Sequence, residues 1–153
     1  MLMRSFVRRT RITAPVEQVF QWHEQPDAFE KLTPPGEPVR VIERSGGIRD
    51  GGHMLIEIGY PPFSIRWAAE HSGYIENRQF RDIQIRGPFR RWVHTHVFEP
   101  DGPDACYLED RVEYVAPLGI VGNWLFGWII ERKLDRLFQY RHRVTREANL
   151  KSL

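Results

Sequence analysis

The chain has 153 residues, 41% hydrophobic and 27% charged, which is the composition of a folded globular protein and excludes a disordered one. Its 22 basic and 20 acidic residues leave a net charge of +2, too small an excess to point to a nucleic-acid partner. Cys106 is the single cysteine, so no internal disulfide can form, and a reducing cytoplasmic location is expected.

A chain of this length is expected to form one domain over residues 1–153, burying roughly two-thirds of its unfolded surface without disulfide or metal staples. Its amino terminus carries Arg4, Arg8, Arg9 and Arg11 and no apolar stretch, so no signal peptide is expected. Phe6 to Thr13 reads as a first strand, β-branched residues alternating with arginines. Ala14-Pro15 stops it. Thr13 is placed to cap a helix with Pro15 near its first turn, in which Val16, Val19 and Phe20 recur at helical spacing. A second short helix is predicted from Pro26 to Leu32, ended by Pro34-Pro35-Gly36.

Six strands follow at short spacing. Val39 to Arg44 and His53 to Tyr60 flank Gly46-Gly47 and Asp50-Gly51-Gly52 and read as a hairpin. Phe63 to Ile75, Gln79 to Arg86, Phe89 to Phe98 and Tyr107 to Ala116 come next, separated by Glu76-Asn77-Arg78, Gly87-Pro88 and Pro100-Asp101-Gly102-Pro103-Asp104. Strands joined by short turns imply an antiparallel meander.

The stretch from Leu118 to Leu150 is the one long helical pattern. At 3.6 residues per turn it aligns Phe126, Ile130, Leu134, Leu137 and Val144, with Ile129, Phe138 and Tyr140 at the borders. Such a helix needs an apolar sheet face of similar length, so the fold class is α+β. Its first half is apolar nearly all round and contains Gly119, Gly122 and Gly127, which makes it the softer end. The run from Val115 to Ile130 is shorter than the roughly 20 apolar residues of a membrane span. Trp124, Phe126 and Trp128 beside Arg132, Lys133 and Arg136 nevertheless suit contact with a membrane surface. Lys133 and Arg141 project near the apolar stripe; Arg141 either snorkels at its edge or meets a carboxylate or ligand at the end of a cavity.

This order of elements resembles the helix-grip fold of the START and Bet v 1-like superfamily. Ile12-Thr13-Ala14-Pro15 with Glu17 and Val19-Phe20 carries part of the resemblance. Leu32-Thr33-Pro34-Pro35, Phe80 with Asp82, Gly87-Pro88-Phe89, then Trp92, His94, His96, Asp110, Tyr114 and Pro117 resemble its polyketide cyclase/dehydrase-like branch. The resemblance covers nearly the whole chain. It implies a curved antiparallel sheet of about seven strands wrapped around the carboxyl-terminal helix, with two short helices after the first strand and a hydrophobic pocket between sheet and helix. It implies a shared cavity and no single chemistry.

Period-two alternation puts Trp92, His94, His96 and Phe98 on one strand face, and Leu108, Asp110, Val112 and Tyr114 on one face of the next. The large apolar members argue that both faces look inward, so His94, His96 and Asp110 should cluster, with Asp82 as a further member. Buried charges are costly unless paired. Four readings suit such a cluster: a polar network bracing the sheet, imidazoles that orient a ligand carbonyl or hydroxyl, a His general base oriented by Asp110, or a metal held by His-x-His with Asp110. Lacking a further ligand at diagnostic spacing, no metal and no cofactor are expected.

The expected ligand-binding residues are Trp67, Asp82, Trp92, His94, His96, Asp110, Tyr114, Phe126, Ile130 and Arg141, and the catalytic candidates are His94, His96 and Asp110. Trp22, His23 and Thr33 lie where this fold places a rim of its cavity. The expected function is binding or carriage of a small hydrophobic or amphipathic molecule or lipid. The alternatives are a cyclase or dehydratase using the His/Asp cluster, and a lipid-interacting protein at the membrane surface.

Overall fold

A computed structural model describes residues 2–150. Strand β1 (Arg4–Ile12) is followed by α1 (Val16–Glu24) and α2 (Ala28–Lys31). Then come β2 (Val39–Ser45), β3 (His53–Ile58), β4 (Ile65–Ile75), β5 (Gln79–Arg86), β6 (Arg91–Pro100), β7 (Cys106–Val115) and the long helix α3 (Ile120–Leu150). The strands form one antiparallel sheet in the order β1-β7-β6-β5-β4-β3-β2. It is the helix-grip arrangement, with a meander from β2 to β7 and β1 closing beside β7.

Two local expectations need correction. Helix α1 begins after Pro15 as its cap, with no side-chain capping bond, so Thr13 does not serve. The ring fixes φ in the helical range and the lost N–H is one the first turn would leave unpaired anyway. Helix α2 is a single turn, shorter than Pro26 to Leu32.

The concave face carries the core. Phe6, Arg8, Thr10 and Ile12 of β1 alternate with exposed residues, and Leu108, Asp110, Val112 and Tyr114 of β7 lie on the same side. Two apolar clusters form there. One joins Ile12, Val19, Phe20, Phe80, Phe98 and Leu108, and the other joins Trp92, Val112, Tyr114, Leu134 and Phe138.

Helix α3 packs on β1, β7 and α1. Arg4–Glu131 at 3.1 Å and Arg8–Asp135 at 3.2 Å tie it to β1, and Gln18 Nε2 donates to the Asn149 carbonyl at 2.9 Å at its far end. Its buried line runs through Gly127, Leu134, Phe138, His142, Thr145 and Asn149. This corrects the expected stripe. The helix is turned so that Phe138 is central, Phe126 is 44% exposed, and the second half buries polar groups. Among the described residues no helix is long and apolar enough to cross a membrane.

Candidate functional site

The sequence Trp92-Val-His94-Thr-His96-Val-Phe98 places two imidazoles between two aromatic anchors on one inward face of β6. Trp92 belongs to one apolar cluster and Phe98 to the other, so the imidazoles occupy the seam. Antiparallel register does the rest. Asp82 of β5 stands opposite His94, and Asp110 of β7 stands opposite His96.

The resulting contacts are short and reciprocal. His94 Nε2 lies 2.6 Å from Asp110 Oδ1 and its Nδ1 lies 3.3 Å from Asp82 Oδ2. His96 Nε2 lies 3.1 Å from the same Asp82 Oδ2, and its Nδ1 lies 3.0 Å from Asp110 Oδ1. The two rings are 3.8 Å apart between centroids, and His96 stacks on Phe80 at 4.0 Å. From the helix side, His142 Nε2 reaches Asp110 Oδ2 at 2.6 Å, while its Nδ1 meets the Thr10 hydroxyl at 2.7 Å.

Burial and charge pull these groups apart. Burial disfavours the cation of His94, but Asp82 and Asp110 outweigh it and raise the imidazole to about 9. Burial also opposes ionisation of Asp110, yet His96, His142 and His94 hold its carboxyl well below the usual range; Asp82 is held down likewise by His94 and His96. His23 of α1 behaves oppositely. It is buried against Phe98 with its Nδ1 2.8 Å from the Val19 carbonyl, and burial lowers it to about 4. His71 of β4, opposite Asp82 in register, is also lowered by burial, and its Nδ1 has no hydrogen-bond partner among the described residues.

The other predicted residues divide between the core and its half-buried margin. Trp92 and Tyr114 are core residues, Tyr114 packing on Phe89 and Trp92. Trp67 is half-buried on β4, edge-on to Trp92 at 5.0 Å, and Ile130 is half-buried beside the same cluster. Beyond Trp67 the concave side chains of β3 and β4, Met54, Ile56 and Ala69, are only half-buried. Arg141 lies over the Phe138 ring at 5.5 Å and its Nε donates to the Leu32 carbonyl at 3.2 Å, so this cation meets a backbone oxygen at the α2 end.

Phe126 is outside this group. The start of α3 turns outward with Ile120, Val121, Trp124, Leu125, Phe126 and Trp128 exposed, Trp124 at 83%. Trp22 and His23 are buried, and Thr33 donates its hydroxyl to the Phe29 carbonyl at 2.8 Å. A surface recess of about 710 Å³ around the free β2 edge is lined by Phe29, Thr33, Pro34, Val39 and Val41. It includes none of the acid–imidazole cluster.

His142 was not singled out from the sequence. Its signal is the helical line Leu134, Phe138, His142, Thr145, Asn149, which an apolar-only pattern ends at Phe138.

Residues 12–138 match the family described as polyketide cyclase / dehydrase and lipid transport. No curated protein sequence matches the chain significantly. Among solved structures, norcoclaurine synthase from Thalictrum flavum in complex with dopamine and hydroxybenzaldehyde is 12% identical, with a TM-score of 0.76 over 98% of this chain and 88% of that one. An aromatase/cyclase from Streptomyces is 13% identical, with a TM-score of 0.74 over 98% and 95%. A START superfamily protein from Mycobacterium smegmatis is 12% identical, with a TM-score of 0.70 over 97% and 99%. At these identities the likeness is one of fold.

Proposed function

Because the chain belongs to the polyketide cyclase/dehydrase and lipid transport family, we propose that it binds and carries a small, mostly apolar molecule with one polar end, held between the sheet and α3. The observation that carries this is the unequal cover of the concave face. Helix α3 lies over β1 and β7, while Met54, Ile56, Trp67 and Ala69 remain half-buried on β3 and β4. An apolar groove closed at one side by a few convergent polar groups is the usual form of a small-molecule site. Asp82 stands at that boundary, its side chain 20% exposed against 5% for Asp110. Its bonds to the imidazoles all use Oδ2, which leaves Oδ1 to accept a hydrogen bond from a ligand hydroxyl or amine. Trp67 and Phe89, packed on each other at 5.5 Å, supply an aromatic surface at the groove's edge that suits contact with an apolar ligand.

Native mass spectrometry of the purified protein, followed by organic extraction, tests the proposal. The expected result is one small apolar molecule per chain, displaced by a competing amphiphile. Failure to retain or bind any member of a panel of fatty acids, phenols and polycyclic aromatics would end it.

A second reading is a cyclase or dehydratase acting in the same groove. It is favoured by His94 and Asp110 at 2.6 Å, an acid-oriented imidazole of the kind used in proton transfer. Turnover of polyketide-like substrates that survives Asp110→Asn and His94→Gln unchanged would remove it.

A further inference from the structure

The two imidazoles and two carboxylates in the seam make an arrangement that protons alone satisfy poorly. All four ring nitrogens of His94 and His96 face carboxylate oxygens, at 2.6, 3.0, 3.1 and 3.3 Å. For each nitrogen to donate, both rings must be cations, yet their centroids are 3.8 Å apart inside the protein. Like charges that close disfavour each other. With one ring cationic and the other neutral, one of the four contacts still sets a lone pair against a carboxylate oxygen; with each ring neutral and its proton toward Asp110, His94 Nδ1 and His96 Nε2 both present lone pairs to Asp82 Oδ2. Three acceptors then converge on one point with no donor among them.

We infer that Asp82 Oδ2, His94 Nδ1 and His96 Nε2 form a binding site for a divalent transition-metal ion of the Zn²⁺ class, with Asp110 as the carboxylate behind both imidazoles. The three donor atoms all lie within 4.8 Å of one another. Metal bonds of about 2.0–2.1 Å at tetrahedral angles put neighbouring donors roughly 3.3 Å apart. Asp82 Oδ2 is 3.3 Å from His94 Nδ1 and 3.1 Å from His96 Nε2. The ring nitrogens that do not face Asp82 are both held by Asp110 Oδ1, which fixes each tautomer with its lone pair toward the ion. His142 in turn braces the other oxygen of Asp110 at 2.6 Å.

The donor chemistry supports the same assignment. Two imidazoles and one carboxylate are the donor set of Zn²⁺ and related ions when positions stay open. A further observation lies beside the triad. His71 stands opposite Asp82 in the β4–β5 register, is 8% exposed, and its Nδ1 has no hydrogen-bond partner among the described residues. Asp82, the most exposed member, is the route of entry. The inference is independent of what the neighbouring groove carries.

The test is titration of chelator-stripped full-length protein with Zn²⁺ and with Co²⁺ at neutral pH. The expected result is one ion per chain and, for Co²⁺, visible absorption of a four- or five-coordinate site. Binding should be abolished by Asp82→Asn and weakened about 10–100-fold by Asp110→Asn. It should be unchanged by His53→Gln, which removes an exposed imidazole near Glu43. In case Asp82→Asn fails to fold, imidazole NMR of the unmodified protein gives the same answer, since Zn²⁺ should move the His94 and His96 resonances in proportion to occupancy and leave His53 in place. Absence of binding, equal binding by Asp82→Asn, or a shift confined to His53 would overturn the inference.

Discussion

His142 of α3 meets Asp110 of β7 at 2.6 Å, and this contact joins the carboxyl-terminal helix to the polar seam of the sheet. Both side chains are buried, and Thr10 occupies the other ring nitrogen of His142. A hydrogen bond to a buried carboxylate is worth more than a neutral one, and removing its donor leaves the acceptor unsatisfied. His142→Leu is therefore expected to destabilise the protein by about 1–3 kcal/mol in urea unfolding. Arg143→Leu, one residue away on the exposed face, should change stability by less than about 0.5 kcal/mol. Equal effects from the two substitutions would mean that the contact contributes nothing specific.

His23 makes stability depend on acid. In the folded chain burial lowers its imidazole to about 4, below the ordinary value of 6.5. The unfolded chain thus takes up a proton first as pH falls. Its contribution is fully present above about 6.5 and is lost progressively between there and about 4. A shift of that size corresponds to something on the order of 3 kcal/mol. Denaturant midpoints measured across this range should fall more steeply for the native sequence than for His23→Leu. Parallel curves would show that His23 is not held neutral.

The fold was legible because its signals are local and consistent. Pro-Gly and Asp-Gly turns mark the strand ends, alternation along Trp92 to Phe98 and Leu108 to Tyr114 gives the inward faces, and the long helix needs a sheet. Those same faces predict that His94, His96, Asp82 and Asp110 come together, since register in a meander follows from turn length. The rotation of α3 was not legible. A search for apolar spacing selects Phe126 and Val144, whereas the helix buries His142, Thr145 and Asn149. Buried polar residues look like surface to any hydropathy pattern, and only their partners, Thr10, Asp110 and Gln18, show where they belong.

Ala69 tests the groove without touching the cluster. It sits between Met54 of β3 and Gln84 of β5 in register, and it is small where its neighbour Trp67 is large. In Ala69→Phe a ring occupies the half-open space beside Trp67. Stability should change by no more than about 1 kcal/mol, because the added side chain enters space that is not fully packed. Binding of the fluorescent probe 1-anilinonaphthalene-8-sulfonate should weaken at least about tenfold, or about 1.4 kcal/mol. A probe that binds Ala69→Phe as tightly as the native sequence would locate the apolar site elsewhere.

The outward-turned start of α3 predicts contact with membranes. Ile120, Val121, Trp124, Leu125 and Trp128 form an exposed apolar surface, and Arg90 lies against Gly119 at its base. Exposed apolar patches rimmed by basic residues suit an anionic lipid surface. The protein is expected to co-sediment with vesicles containing phosphatidylglycerol and to do so less at high salt. Trp124→Ser with Trp128→Ser should abolish co-sedimentation while leaving the melting temperature nearly unchanged, since both rings are largely in water. No binding by the native sequence to vesicles of either charge would rule the surface out.

Two glycines of α3 respond differently to the same change. A Cβ at Gly122 meets the Pro117 carbonyl oxygen, a backbone atom held in place by the turn that leads into the helix. A Cβ at Gly127 meets the guanidinium end of Arg4, a flexible side chain that pairs with Glu131 at the surface. Alanine favours the helix by about 1 kcal/mol at either position. At Gly127 that gain offsets the loss of an exposed ion pair worth roughly 0–1 kcal/mol, so Gly127→Ala should be neutral or mildly stabilising. At Gly122 the backbone must move, and overpacking should outweigh the helical gain, with a net loss of about 1–3 kcal/mol. Thermal unfolding of the two variants should give shifts of opposite sign or a clear difference in size. If both behave alike, the first turn of α3 yields to its neighbours and the glycines serve only to loosen the helix.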